Sequence, residues 1–185
     1  MGDNFVINIG RQLGSGGREI GEKLAASLEI SFYDKELINL ASEESGLCRD
    51  FFEKADEKPS QPLINGLFGM RFPFPNDSIM ACNSCLSNDA LFKVQSDVIR
   101  KLAAEKSCLF VGRCADYILR DHPRHVNVFV SASLDDRIER LCQTMHVSKA
   151  EAEELIERTD KKRSEYYNYY SYKTWGAAAT YHLCI

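Results

Sequence analysis

Phe5-Val6-Ile7-Asn8-Ile9 runs directly into Gly10-Arg11-Gln12-Leu13-Gly14-Ser15-Gly16-Gly17-Arg18-Glu19-Ile20-Gly21. The first run has the near-continuous apolar character of a strand buried on both faces. The glycines break that pattern, and from Glu19 onward Ile20, Leu24 and Leu28 recur at helical spacing, which predicts the helix's inner face. Strand, glycine turn and helix in this order let backbone N–H groups curl toward one point. The helix N-terminus adds partial positive charge there, making a cradle for an anion. Without side chains, Gly14, Gly16 and Gly17 permit a phosphate to come close.

The turn departs from the phosphate-loop pattern G-x-x-x-x-G-K-[ST]. Counted back from the helix, Gly16 matches the last glycine, Gly17 stands where the lysine belongs, and Arg11 replaces the first glycine. Arg18 is the nearest cation, and Glu19 lies near the place of the magnesium-binding hydroxyl. Two other readings stay open on this segment alone. One is a tight glycine turn with no ligand. The other is a dinucleotide loop with Asp34 as its acidic partner, although Gly14-Ser15-Gly16-Gly17-Arg18-Glu19 lacks the last glycine of G-x-G-x-x-G.

Working outward, Ile30–Tyr33, Cys108–Val111, Val126–Val130 and Tyr181–Ile185 predict four further strands. Helices are expected from Lys35, from a cap at Asp89 with Leu91, Val94, Val98 and Leu102 inward, from Ser133 with Asp136, and from Ser148 with Glu151. Alternating strands and helices predict an α/β fold: a five-stranded parallel sheet with helices on both faces and ligands at the strands' carboxyl ends. Residues 57–88 hold all but one of the prolines and no sustained period, which predicts an irregular insertion or acceptor-binding flap. Residues 158–173 combine cations with five tyrosines and are the lid candidate.

The length of 185 residues suits a single domain spanning 1–185. A net charge of −4 argues against a broad nucleic-acid partner. No apolar run approaches the roughly 20 residues that span a bilayer, so no membrane partner is expected. The N-terminus leads straight into the first strand, which predicts a cytoplasmic protein without a leader. The cysteines are odd in number and irregularly spaced, as reduced thiols are, and Cys82-Asn83-Ser84-Cys85 supplies only two of a zinc site's four ligands. The histidines show no ligand spacing, so no metal site of the protein's own is expected.

Three more segments fix the comparison: Gly112-Arg113-Cys114-Ala115-Asp116-Tyr117-Ile118-Leu119, then Ala132-Ser133-Leu134-Asp135-Asp136-Arg137, then Asp160-Lys161-Lys162-Arg163. With Arg11 to Gly21 and Phe32-Tyr33-Asp34-Lys35-Glu36-Leu37-Ile38, they resemble the cytidylate-kinase-like family across the chain outside the insertion. The resemblance implies a three-layer P-loop NTPase-like fold with an insertion and a lid. It implies ATP and Mg²⁺ as cofactors and nucleotides as partners, with phosphoryl transfer to a nucleoside monophosphate, CMP or dCMP first. A non-catalytic nucleotide-binding module and a kinase for another small metabolite are the alternatives.

Carried over residue by residue, the resemblance implies that Gly14, Ser15, Gly16, Gly17, Arg18 and Glu19 cradle the donor phosphates, with Arg137 near the donor site. Arg113 would meet the acceptor monophosphate, Asp160 and Arg163 would serve the acceptor and the lid, and Asp34 and Asp116 join the acceptor set. Arg18, Arg113, Asp160 and Arg163 are the catalytic candidates. Cys114 stands where cytidylate kinases carry an aspartate. For each residue a plainer role stays open: Arg113 paired to a carboxylate, Arg137 as a surface charge, and Asp160 with Arg163 as an exposed ion pair.

Overall fold

Two apolar sequences alternate along one short strand and set the layers of the molecule. In a computed structural model describing residues 4–35 and 88–185, Cys108–Val111 forms β3 with every residue buried. Successive side chains point to opposite faces. Cys108 and Phe110 accordingly enter one core with Val6, Ile99, Ala115, Ile118 and Tyr167. Leu109 and Val111 enter the other with Ile9, Ala25 and Val130.

The remaining strands are β1 (Val6–Arg11), β2 (Ser31–Tyr33), β4 (His125–Val130) and β5 (Leu183–Cys184). All pair in parallel in the order β2-β3-β1-β4-β5. Helix α1 (Gly17–Ser27) follows β1, α2 (Asn88–Glu105) precedes β3, and α3 (Ala115–Ile118) follows it. Helices α4 (Leu134–Met145) and α5 (Lys149–Ser171) come after β4. This is the α/β sheet with helices on both faces that the sequence predicts. The insertion at 57–88, except Asn88, and the predicted helix beyond Lys35 lie outside the described residues. Among the described residues no helix is long and apolar enough to cross a membrane.

Local chemistry explains the helix starts. The Ser133 hydroxyl accepts from the Asp136 amide, and Ser148 with Glu151 closes a reciprocal capping box. The start of α2 differs from expectation. It begins at Asn88, which places Asp89 inside the first turn, where its carboxylate faces the positive end of the helix dipole.

The face of α1 also differs. Ile20, Leu24 and Leu28 are exposed, while Gly17, Gly21 and Ala25 are buried. A Cβ on Gly21 would stand 3.2 Å from side-chain carbons of Ile9, Leu109 and Val111. The helix therefore lies too close to the sheet for anything but small residues, and the larger apolar stripe is turned outward. The last strand is shorter than predicted, but hydrogen bonds from His182 N to Asn127 O (2.8 Å) and Ile185 N to Phe129 O (2.9 Å) carry the pairing on both sides of it.

Candidate functional site

The loop between β1 and α1 takes the conformation its glycines permit. Gly14 and Gly16 have φ of 79° and 80°, a left-handed backbone that side chains disfavour. The Ser15 hydroxyl turns into the loop, donating to Gln12 O at 2.9 Å and lying 3.4 Å from the Gly17 amide. Among the described residues, the Gly14 and Gly16 amides donate to no protein acceptor. These are the groups an anion would meet at the helix start.

Two residues from distant helices hold this loop. Asp160 of α5 accepts from the Leu13 amide at 2.9 Å, and Arg137 of α4 donates through Nε to the Leu13 carbonyl at 2.7 Å. Arg137 and Asp160 are also joined directly, with side chains only 7% and 15% exposed. The Leu13 side chain packs into the apolar cluster of Leu141, Ala152 and Ile156 between the same helices. Arg137 is thus a buried support of the loop rather than a solvated charge. Arg163 lies 3.7 Å from Asp160 and donates to Arg11 O at 3.4 Å.

At the start of α1, Arg18 grips buried Asp34 with two nitrogens, Nε at 2.9 Å and Nη2 at 2.8 Å. Glu19 pairs with Lys23 at 2.8 Å and Arg140 at 2.9 Å, and hydrogen bonding to Lys23 and then Arg140 holds its carboxyl below the usual range. The Arg140 guanidinium lies against Gly16, its carbon 3.2 Å from where a Cβ would be. Sequence reading placed no role on Arg140; its spacing along α4 carried no signal of contact with the loop.

A second set of residues gathers where β3 ends. Gly112, Arg113 and Cys114 are all left-handed, with φ of 82°, 56° and 56°. Two consecutive non-glycine residues in that region store strain, which persists only where surrounding structure enforces it. The turn presents Arg113 with a buried Nε that has no hydrogen-bond partner among the described residues and with its guanidinium 5.6 Å from the Tyr166 ring centre. Cys114 packs into the core, and burial raises its thiol well above the ordinary range.

Arg113 borders a cavity of about 960 Å³ that also takes in Asn8, Arg11, Lys35, Asp116, Arg158, Lys162 and Arg163. Tyr166, Tyr167, Tyr169, Tyr170, Trp175 and Tyr181 give it aromatic walls. Asp116 is buried there and accepts from the Tyr167 hydroxyl at 2.6 Å; burial raises its carboxyl above the ordinary value, with that hydrogen bond opposing. The lid candidate at 158–173 falls largely within α5 and supplies this wall.

The structure therefore brings Arg113, Asp116 and Arg163 to one cavity, with Asp160 of α5 bonded instead to the glycine loop. Gly14, Gly16 and Gly17 form a neighbouring cradle, and Arg18, Asp34 and Glu19 stand paired at its rim. Lys35 and Arg11 are cavity residues that sequence reading did not assign. For magnesium, an arginine fills the hydroxyl's position, Glu19 is engaged by two cations, and the described residues hold no group of three or more potential metal ligands. Among the described residues, this arrangement does not supply a protein-side ligand set for magnesium.

An uncharacterized protein from Eubacterium ventriosum is 27% identical, with a TM-score of 0.71 over 98% of this chain and 87% of its own. The shikimate kinase from Bacteroides thetaiotaomicron superposes with a TM-score of 0.49 at 12% identity, over 98% of this chain and 85% of its own. No curated protein matches the chain. The family whose model matches is described as the cytidylate kinase-like family, and the match runs over residues 6–185. A five-stranded parallel sheet, a glycine turn at the first helix and an arginine-lined cavity accompany that match: the chain belongs to the cytidylate kinase-like family.

Proposed function

We propose that the protein transfers the γ-phosphoryl group of ATP to a nucleoside monophosphate, with CMP or dCMP first among acceptors. Family membership supports the coarser part of this reading, phosphoryl transfer to a small metabolite with ATP and Mg²⁺. One observation supports the finer part: the glycine loop and the Gly112–Arg113 turn follow two adjacent parallel strands, β1 and β3, so the two turns proposed to hold phosphates lie at the same edge of the sheet.

In this reading the amides of Gly14, Gly16 and Gly17 hold the donor phosphates, with Ser15 shaping the loop. Arg18, tied to Asp34, and Glu19, tied to Arg140, form its rim. Arg137 and Asp160 act through Leu13 and keep the loop open. Arg113 and Arg163 grip the acceptor phosphate, since the guanidinium fork matches phosphate oxygens. Asp116 accepts a hydrogen bond from the acceptor's base or sugar between the tyrosines. An acceptor phosphate oxygen forms the new P–O bond as the bond to the β-phosphate's bridging oxygen breaks, leaving ADP. The protein's contribution is positioning and compensation of spreading negative charge.

A coupled assay for ADP over all nucleoside monophosphates tests this. Acceptor-dependent ADP formation is expected, with Arg113→Ala lowering turnover by at least ~100-fold. Intact protein that forms none with any monophosphate would end the proposal. A second reading, a kinase for another small phosphate metabolite, is favoured by Cys114 in the place of the cytidylate-kinase aspartate. Thermal-shift measurement against a metabolite panel separates the two, because the true acceptor stabilises the folded state.

A further inference from the structure

Arg11 and Gly17 occupy one space between them. A Cβ on Gly17 would stand 2.6 Å from Arg11 Cβ and 3.2 Å from its Cγ, with Val130 Cβ also at 3.2 Å. Gly17 is buried, so no side chain can leave that position while Arg11 is present. Beyond Gly17 the arginine stem crosses toward β3. There its guanidinium lies against Gly112, with Cζ 3.1 Å from where a Cβ would be. Unlike Gly17, which meets the fixed base of the Arg11 side chain, Gly112 meets its flexible end, and its own φ of 82° is what disfavours a side chain there.

These contacts give the sequence departure a physical meaning. In the phosphate-loop pattern the first position is glycine and the seventh is lysine. Here the first is Arg11 and the seventh Gly17: cation and glycine have changed places. The stem rises past the loop's seventh position and ends between the glycine cradle and the Gly112–Arg113 turn. That is where a transferring phosphoryl group passes in the function proposed above, on which this inference rests. Arg11 borders the cavity and Arg163 donates to its carbonyl oxygen, so charge and backbone at this position both face the crevice.

We propose that Arg11 is a catalytic residue, the relocated counterpart of the loop lysine. Its guanidinium contacts the donor's terminal phosphate oxygens and follows the phosphoryl group as the bond to the bridging oxygen breaks and the bond to the acceptor oxygen forms. Delocalised charge and a planar fork suit it to three equatorial oxygens.

The test uses three variants of the full chain: Arg11→Met, Arg11→Gly and a double variant built on the latter. Arg11→Met keeps an apolar stem over Gly17 and deletes only the charge. The double variant Arg11→Gly/Gly17→Lys empties the shared space and returns the cation to the seventh position. Turnover should fall at least ~100-fold in Arg11→Met and in Arg11→Gly, the scale of losing one oriented donor, and return to within about tenfold of wild type in the double variant. Turnover by Arg11→Met within about threefold of wild type overturns the proposal, as does a double variant that binds ATP yet stays at the level of Arg11→Gly. Cooperative thermal unfolding verifies folding; if the double variant does not fold, Arg11→Met decides alone. If wild type itself transfers nothing, the phosphotransfer reading fails separately, and Arg11 is judged by calorimetry with inorganic tripolyphosphate. A loss of affinity of at least about tenfold in Arg11→Met then supports the cation's place, and unchanged affinity overturns it.

Discussion

Arg137 and Asp160, 23 residues apart in sequence, form a buried ion pair that holds Leu13 by both its backbone polar groups. The pair ties the glycine loop to α4 and α5, so that loop and the tyrosine-lined wall of the cavity share one support.

Removing either partner leaves the other charged, buried and without its main counter-ion. Arg137→Ala and Asp160→Ala should each destabilise the protein by about 3 kcal/mol, the scale for breaking a buried pair. A double-mutant cycle by urea denaturation should give a double variant well short of the sum. Losses below about 0.5 kcal/mol would place the pair among ordinary exposed ones.

Arg113 is held in a left-handed backbone that glycine adopts freely. Arg113→Gly should therefore raise stability by about 1 kcal/mol while abolishing phosphoryl transfer. Denaturation midpoints and the coupled assay measured on the same sample check both halves. A variant that loses stability would show that the Arg113 contact with Tyr166 outweighs the backbone strain.

Burial raises the Asp116 carboxyl above its ordinary value of 3.8, with the Tyr167 hydrogen bond opposing. A carboxyl raised on folding binds its proton more tightly in the native state. Its contribution to stability is fullest at low pH and is lost as pH rises from 3.8 through the folded value. Asp116→Asn lacks this titration. Its stability relative to wild type should improve as pH rises above about 4 by urea denaturation, and a constant difference would contradict the assignment.

Burial also separates the thiols. Cys108 is pushed up to about 12 and Cys114 is raised further, whereas Cys184 is exposed. Because the thiolate is the reactive form, iodoacetamide near pH 8 should label Cys184 and leave Cys108 and Cys114 untouched in native protein. Peptide mass spectrometry reads the outcome, and labelling of Cys114 before unfolding would mean that the strained turn opens.

Strand positions were legible in the sequence because β-rich runs between glycine or polar breaks need no knowledge of what they pack against. The capped starts at Ser133 and Ser148 were legible for the same reason, since a cap closes within three residues. The buried face of α1 was not. Periodicity favoured the larger Ile20, Leu24 and Leu28, while the distance between helix and sheet favoured Gly17, Gly21 and Ala25. At the site, the i,i+3 pair of Asp160 and Arg163 could be anticipated, but the stronger partner, Arg137, belongs to another helix. Arg11 was visible only as a missing glycine. Its stem fills the space that a side chain at Gly17 would need, a contact that no spacing in the sequence signals.

The central claim is that backbone amides at the start of α1 receive the donor phosphates. Titrating ¹⁵N-labelled protein with ATP while following the amide signals of Gly14, Gly16 and Gly17 measures that contact directly. The account predicts large, saturable shifts at these glycines, with the amides of the distant β5 strand unmoved. If ATP binds and these glycine signals stay in place, the phosphates lie elsewhere and the account is contradicted.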